Sequence, residues 1–324
     1  MRCSGLMLLF EPLYLAYLMT TRSPFPLVQP LPSIAQRLEP EANRVVVSTN
    51  AADQRQQIIE YNALVIATGS SCKDDMPFKN LSNTESTKQG MQSLRERIAT
   101  ARSLVVAGAG LTGVELAGEL GQEYGPSASK DTVVGELTQL KLKVMTNTRV
   151  VDVSTAPAGK QSLVLQRTDK VTDNAATIRT PKADLYIPAF SVRPNITFVP
   201  EEMLDFDGRV KIDRTTLQAT RYANIFAFGD AANAQTATSK HADAQVRCLA
   251  PAMQHWLAGR PIPPNKADDT FVFAVTMGPN RGTGQLGSWR LWAWIIRGTI
   301  AKHLGTDYAP EIVAGNRTIT QTRW

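Results

Sequence analysis

Gly108, Gly110 and Gly113 stand two and three residues apart within LVVAGAGLTGVELAGEL, residues 104–120. That spacing suits a turn that holds a pyrophosphate. Glycine in the first slot permits the tight bend, and in the second it lets a phosphate come against the backbone. In the third it lets the following helix lie close on its own strand. Leu104, Val105, Val106 and Ala107 read as a buried strand before the turn. Val114, Leu116, Ala117 and Leu120 read as the apolar face of a helix after it. The first N–H groups of that helix, and its dipole, would face an anion. Glu115 falls near its N-terminus, where a carboxylate is also favoured simply by the dipole.

Two other strand ends carry polar groups. YNALVIATGS (61–70) is an apolar run that ends at Thr68 and Gly69, small enough for a flat or phosphorylated ligand to approach the backbone. NIFAFGDAA (224–232) delivers Gly229 and Asp230 to a carboxyl end, where ligands sit in open α/β sheets. Asp230 could accept hydrogen bonds from the hydroxyls of a ribose or ribityl chain. Each of the two is, taken singly, also an ordinary exit from a strand into a turn. Together with the glycine run they predict a nucleotide-binding α/β protein.

The elements that must position these residues follow from the rest of the chain. Its 324 residues suit about two domains, and 43% apolar with 20% charged residues is a globular composition. The net charge of +6 is spread without a run of five like charges, and no nucleic-acid motif accompanies it. Cys3, Cys72 and Cys248 lie far apart, so no local zinc site or redox-active disulfide is encoded. Cys72 and Cys248 are read as packing residues in a reducing compartment. His241, His255 and His303 lack triad or metal spacing.

Residues 6–19 are apolar but carry Glu11 and Pro12 and fall short of a membrane span. Five prolines in 21–40 predict an extended, irregular segment. Strands are predicted at 44–48, 57–61, 64–67, 143–146, 148–153, 162–167, 177–179, 185–188, 224–228 and 270–275. Residues 70–90 and 193–222 are read as polar loops. Helices are predicted at 91–101, 133–140, 240–257 (stopped by Gly259 and Pro261) and 289–303. The last is rich in Trp289, Trp292, Trp294, Ile295 and Ile296. It is expected to pack as a core helix, with a lipid- or quinone-facing stripe as the alternative.

ATG, then GxGxxGxE, then a strand ending in GD resembles the two-dinucleotide-binding-domain flavoproteins of the pyridine nucleotide–disulfide oxidoreductase type. Within these the chain is most similar to the apoptosis-inducing-factor-like branch of AMID and ferroptosis-suppressor proteins, in a fungal and truncated form. The resemblance rests on YNALVIATGS, LVVAGAGLTGVELAGELGQEYG, KVMTNTRVVDV, PNITFVP, NIFAFGDAAN and MGPNRGTGQLGSW. It spans most of 35–324. It implies two interleaved Rossmann-like domains: FAD-binding parts at 1–100 and 190–265, an NAD(P)H-binding domain at 101–189 and a C-terminal segment at 266–324. Gly108, Gly110, Gly113 and Glu115 match the NAD(P)H motif. Thr68 and Gly69 match the strand beside the flavin, and Gly229 and Asp230 the ribityl contact. Lys240 and His241 match a helix start near the isoalloxazine edge, or are a solvated helix N-terminus.

The implied activity is hydride transfer from NAD(P)H to FAD and then electron transfer to a quinone-like or other acceptor. No nucleic-acid partner is expected. A cytoplasmic protein follows, with peripheral contact to a membrane or mitochondrion as an option. The alternatives are a truncated non-catalytic member and a protein that binds NAD(P)H alone.

Three features depart from the family pattern. Gly5 is the only glycine before Gly69, so the first βαβ fingerprint of the FAD domain is lacking. The run 6–19 is expected to be a poor substitute for the missing central strand, since Glu11 and Pro12 would interrupt it. After Gly125 no second strand brings an acid to the nicotinamide-side ribose, and Ser191 stands where the family has glycine.

Overall fold

The computed structural model describes residues 5–10, 15–20, 27–49, 56–124, 142–155, 160–168, 175–179, 183–270, 272–278, 281–298 and 309–314. The first part of the chain forms β1 (Gly5–Phe10), β2 (Leu15–Thr20), β3 (Leu27–Glu39), β4 (Arg44–Thr49), β5 (Gln56–Glu60), β6 (Ala63–Ala67) and β7 (Ser70–Cys72). Helix α1 (Thr84–Thr100), β8 (Leu104–Ala107) and α2 (Leu111–Tyr124) follow. Next come β9 (Thr148–Thr155), β10 (Gln161–Thr168), β11 (Ala175–Arg179), β12 (Leu185–Pro188) and β13 (Val192–Pro194). The remainder holds β14 (Gln218–Ala219), β15 (Tyr222–Ala227), α3 (Ser239–Leu257), β16 (Val272–Thr276), β17 (Gly282–Leu286), β18 (Trp289–Leu291), α4 (Ala293–Ile296) and α5 (Ala309–Val313).

Eight strands form the main sheet in the order β14-β15-β6-β1-β2-β3-β4-β5. Its centre is parallel: β1 and β15 flank β6 and run with it. Ala63, Leu64, Val65 and Ile66 of β6 are fully buried, as expected of an unbroken apolar run with both faces covered. Ile225, Phe226 and Ala227 of β15 are buried beside them, with Leu249 and Met253 of α3 in the same core. Each of the large residues contributes roughly 1.5–3 kcal/mol through burial. In a second, two-stranded parallel sheet β12 pairs with β8. Leu185 and Ile187 there pack with Met76 and Leu94. β9, β10 and β11 make an antiparallel sheet, as do β16, β17 and β18.

Several expectations are corrected. The run 6–19 does enter the sheet, as β1 and β2, with β1 in register beside β6 from Leu6↔Ala63 to Phe10↔Ala67. Glu11 and Pro12 fall between the two strands, so neither one is interrupted. Residues 27–39 form one long strand despite Pro30 and Pro32. Its first half, Leu27–Pro32, pairs with β2 and its second, Ser33–Glu39, with β4. Among the described residues the half with the prolines therefore has one partner, and the missing N–H groups can face an open edge.

Helix α1 begins at Thr84, earlier than predicted, because the Asn83 side chain accepts from Ser86 N at 2.7 Å and caps it. Residues 143–146 form no strand. The loop expected at 193–222 contributes the fully buried Val210 and, nearly as deep, Leu217 and Met203. Trp289–Leu291 is a strand and Ala293–Ile296 a helical turn that Arg297 and Gly298 continue, so the predicted helix does not begin at Trp289, and its part at 299–303 lies outside the described residues. The helix predicted at 133–140 lies outside the described residues.

Candidate functional site

β6 and β15 end side by side, and their ends form one polar cluster. Ser70 Oγ donates to Asp230 Oδ2 at 2.6 Å, and Lys79 Nζ lies 2.7 Å from the same oxygen. Burial pushes the Asp230 carboxyl up. The hydrogen bonds from Lys79 and Ser70, with the charges of Lys79 and Arg209, more than reverse this and hold it below the usual carboxylate range. Thr68 is buried; its hydroxyl donates to Asn195 O at 2.6 Å, and its own carbonyl accepts from Asn195 Nδ2 at 2.9 Å. Gly69 and Gly229 both hold positive φ, 59° and 67°, conformations that a side chain would strain. Residues 68–69 and 229–230, separated by about 160 positions, thus meet at one carboxyl edge.

Helix α3 closes on this cluster. The Thr238 hydroxyl caps it by accepting from His241 N at 3.2 Å. Gln245 Oε1 accepts from Gly229 N at 2.8 Å, pinning the turn. His241 Nδ1 lies 2.7 Å from Thr236 O. A carbonyl can only accept, so Nδ1 carries a proton, and in the neutral ring Nε2 is then an acceptor. Nε2 is buried without a partner, an arrangement that calls for a donor. Lys240, predicted beside it, pairs instead with Asp268 Oδ2 at 2.9 Å in an exposed contact.

The second site is the turn between β8 and α2. A Cβ on Gly108, whose φ is 133°, would lie 2.2 Å from Ala189 O, and one on Gly113 2.2 Å from Gly108 O. Gly110 has nothing within 4 Å of its Cβ position. Two glycines are therefore required by packing, and the third keeps a space open. Glu115 is half-buried, and burial raises its pKa; a hydrogen bond from the Thr276 backbone lowers it and Glu119 raises it further. Ser191, at the family's glycine position, sits at φ 59°.

Lys79, Ser70, Asn195 and Gln245 were missed from the sequence. Gln245 had a signal: with His241, Leu249 and Met253 it lies on the buried stripe of α3, where a polar residue needs a partner. Lys79 had none, being one cation in a polar loop.

The family model for pyridine nucleotide-disulphide oxidoreductase matches residues 34–248, about two thirds of the chain. The chain belongs to that family. The oxidoreductase ptaL of Pestalotiopsis fici is 33% identical over 282 residues, covering 82% of this chain and 73% of the relative. Ferroptosis suppressor protein 1 of Mus musculus is 24% identical over 264 residues, covering 75% and 69%.

Among solved structures, a FAD-dependent pyridine nucleotide-disulphide oxidoreductase from Desulfovibrio vulgaris aligns with TM-score 0.50 at 18% identity, covering 78% of this chain and 67% of that one. The sulfide:quinone oxidoreductase of Aquifex aeolicus aligns with TM-score 0.56 at 14% identity, covering 87% and 74%. The protein is thus an FAD-dependent oxidoreductase of the pyridine nucleotide-disulphide family, with FAD and NAD(P)H as its cofactors.

The cradle at Gly108–Gly113 fits a pyridine nucleotide, since Gly110 leaves the backbone bare to a phosphate. The cluster at 68–70 and 229–230, with the bare His241 nitrogen, fits the hydroxyl-bearing side of FAD. The pyrophosphate of FAD is less well provided for. β1 and β2 are antiparallel and only four residues apart, too few for the helix of a parallel βαβ unit.

Proposed function

We propose that this chain oxidises NAD(P)H and passes the electrons through FAD to a quinone-like acceptor. FAD, when bound, supplies the two-electron chemistry that links nicotinamide to acceptor. Gly108, Gly110 and Gly113 would hold the NAD(P)H pyrophosphate at the start of α2, with Glu115 one turn in. Thr68, Gly69, Gly229 and Asp230 would line the FAD side, Asp230 taking ribityl hydroxyls. Its carboxylate, held ionised by Lys79 and Ser70, is an acceptor at any pH near neutrality. His241 Nε2 can accept one hydrogen bond from the ligand.

The proposed division is FAD-binding at 1–100 and 190–265, NAD(P)H-binding at 101–189 and a C-terminal segment at 266–324. The observation that carries the reading is the meeting of Thr68–Gly69 with Gly229–Asp230 at one sheet edge. The quinone-like acceptor is supported by the fold shared with a sulfide:quinone oxidoreductase. No described helix is long and apolar enough to cross a membrane.

The test is to add FAD to the purified chain, reduce with NADH under anaerobic conditions and reoxidise with a short-chain quinone. Bleaching followed by recovery of the flavin band supports the reading. NADH binding without flavin uptake would leave the NAD(P)H-only alternative, which the short β1–β2 connection favours.

A further inference from the structure

The C-terminal sheet carries a surface that the proposed oxidoreductase sites leave unused. Trp289, Trp292 and Trp294 are 79%, 61% and 72% exposed, and Leu286 on the same hairpin 50%. The unit itself is firmly seated. Ile296 is 1% exposed, and Cβ positions built on Gly282 and Gly284 fall 2.6 and 3.2 Å from its side chain. Three indoles within six residues are therefore held in water by a packed scaffold, which marks an interaction surface.

The charge along the hairpin segment itself is one-sided. From Thr270 to Thr306 the sequence has Arg281, Arg290, Arg297 and Lys302 and not one Asp or Glu. Arg290 and Arg297 are exposed, and the Arg290 guanidinium sits 5.7 Å from the Trp292 ring centre. A second copy of the chain is a poor occupant. A two-fold contact would set the same patch against itself, with arginine facing arginine. Tryptophan with flanking arginine instead suits the boundary between lipid headgroups and acyl chains.

We propose that this face docks on an anionic lipid bilayer, with the three indoles in the interfacial layer and Arg290 and Arg297 against headgroup phosphates. The inference gives the membrane contact named above its residues. It rests on the surface and not on the flavin reading, so its test omits both cofactors.

Full-length protein is floated with phosphatidylcholine vesicles, with or without phosphatidylserine, and indole emission is followed with brominated lipid as quencher. Trp256 serves as an internal reference, since its ring packs edge-on against Phe226 in the core. Serine-containing vesicles should carry the protein, shift its emission to the blue and allow quenching. Neutral vesicles should bind it at least about tenfold more weakly, given about fivefold per arginine near an anionic surface.

Trp289→Ser, Trp292→Ser and Trp294→Ser combined should abolish flotation. Arg290→Glu with Arg297→Glu should remove the preference for serine headgroups while leaving the melting temperature unchanged. If the triple variant does not fold, Trp289→Ser alone and the arginine pair decide. The proposal is overturned if the protein does not float, or if flotation survives the tryptophan substitutions. An emission shift that follows protein concentration without lipid would also overturn it, in favour of a second copy.

Discussion

Gly110 and Gly113 look alike in sequence, yet a methyl group at each should act on different quantities. Gly113→Ala drives Cβ into the carbonyl of Gly108 at 2.2 Å. The turn must then open, costing about 1–3 kcal/mol, seen as a lower melting temperature. Gly110→Ala meets nothing within 4 Å, so stability should stay within about 0.5 kcal/mol, while NADH affinity, measured by titration, falls at least about tenfold. Equal losses of stability in both variants would contradict the open cradle. Asp230 offers a second test. Its pKa is lowered by folding, so the unfolded chain takes up the proton first. The stabilisation is whole above about pH 4 and is lost as pH falls through the folded value. Asp230→Asn should therefore flatten the decline of melting temperature below about pH 5. At pH 7 it should cost only about 1 kcal/mol, since Lys79 is 32% exposed and partly screened. Parallel pH profiles for the two proteins would remove this ion pair from the account. At this scale the sequence marked the backbone-defined positions, Gly108, Gly113, Gly69 and Gly229, because a conformation or a close approach restricts the residue type. It did not mark Lys79 or Asn195, whose roles depend on what folds against them.

Elements were legible where a strand or helix carries its own pattern. β6, β8, β12 and β15 are short apolar runs closed by small or turn-forming residues, and α3 has a buried stripe and a Gly259 stop. They failed to be legible where pairing overrides composition. β1 and β2 read as an interrupted apolar run until their partners are known, and β3 tolerates Pro30 and Pro32 through its one-sided pairing. The Trp289–His303 stretch carries an apolar pattern that fits a helix, but Gly282 and Gly284 accept Ile296, and its start is a strand, with helical backbone only from Ala293. The docking of α2 on β16 is a relation between elements that neither one announces. A Cβ on Gly118 would lie 2.5–2.8 Å from Met277, and Glu119 Oε1 accepts from Gly278 N at 2.7 Å. Gly118→Val should therefore push the C-terminal sheet off the nucleotide helix. We expect about 1–3 kcal/mol of destabilisation and faster proteolytic release of residues beyond about 270, whereas Glu119→Gln, which keeps an acceptor, should behave as wild type. Cleavage at an unchanged rate in Gly118→Val would show that α2 does not hold the sheet.

At the scale of the molecule, the two nucleotide sites differ in how completely they are built. The turn at Gly108–Gly113 joins strand, glycines and helix in one continuous segment. The proposed flavin side would be assembled from residues 68–79, 195, 229–230 and 241–245, and its sheet passes from β1 to β2 through four residues. A helix N-terminus would give the FAD pyrophosphate several aligned N–H donors. Hydrogen bonds to a charged group contribute about 1.5–3 kcal/mol each, so losing two weakens binding roughly a hundredfold or more. The expectation is a protein that purifies with little colour, takes up FAD when it is added, passes NADH electrons to it, and loses it again on gel filtration. NADH affinity should be untouched by that loss, because the glycine cradle of α2 stands on its own sheet. Flavin absorbance before and after gel filtration, set against NADH titration of the same fractions, separates the cases. Flavin retained in full would mean that other residues cradle the pyrophosphate. Flavin never taken up would remove the oxidoreductase reading, and reversible uptake with NADH-dependent bleaching would tie the weak binding to the short β1–β2 connection.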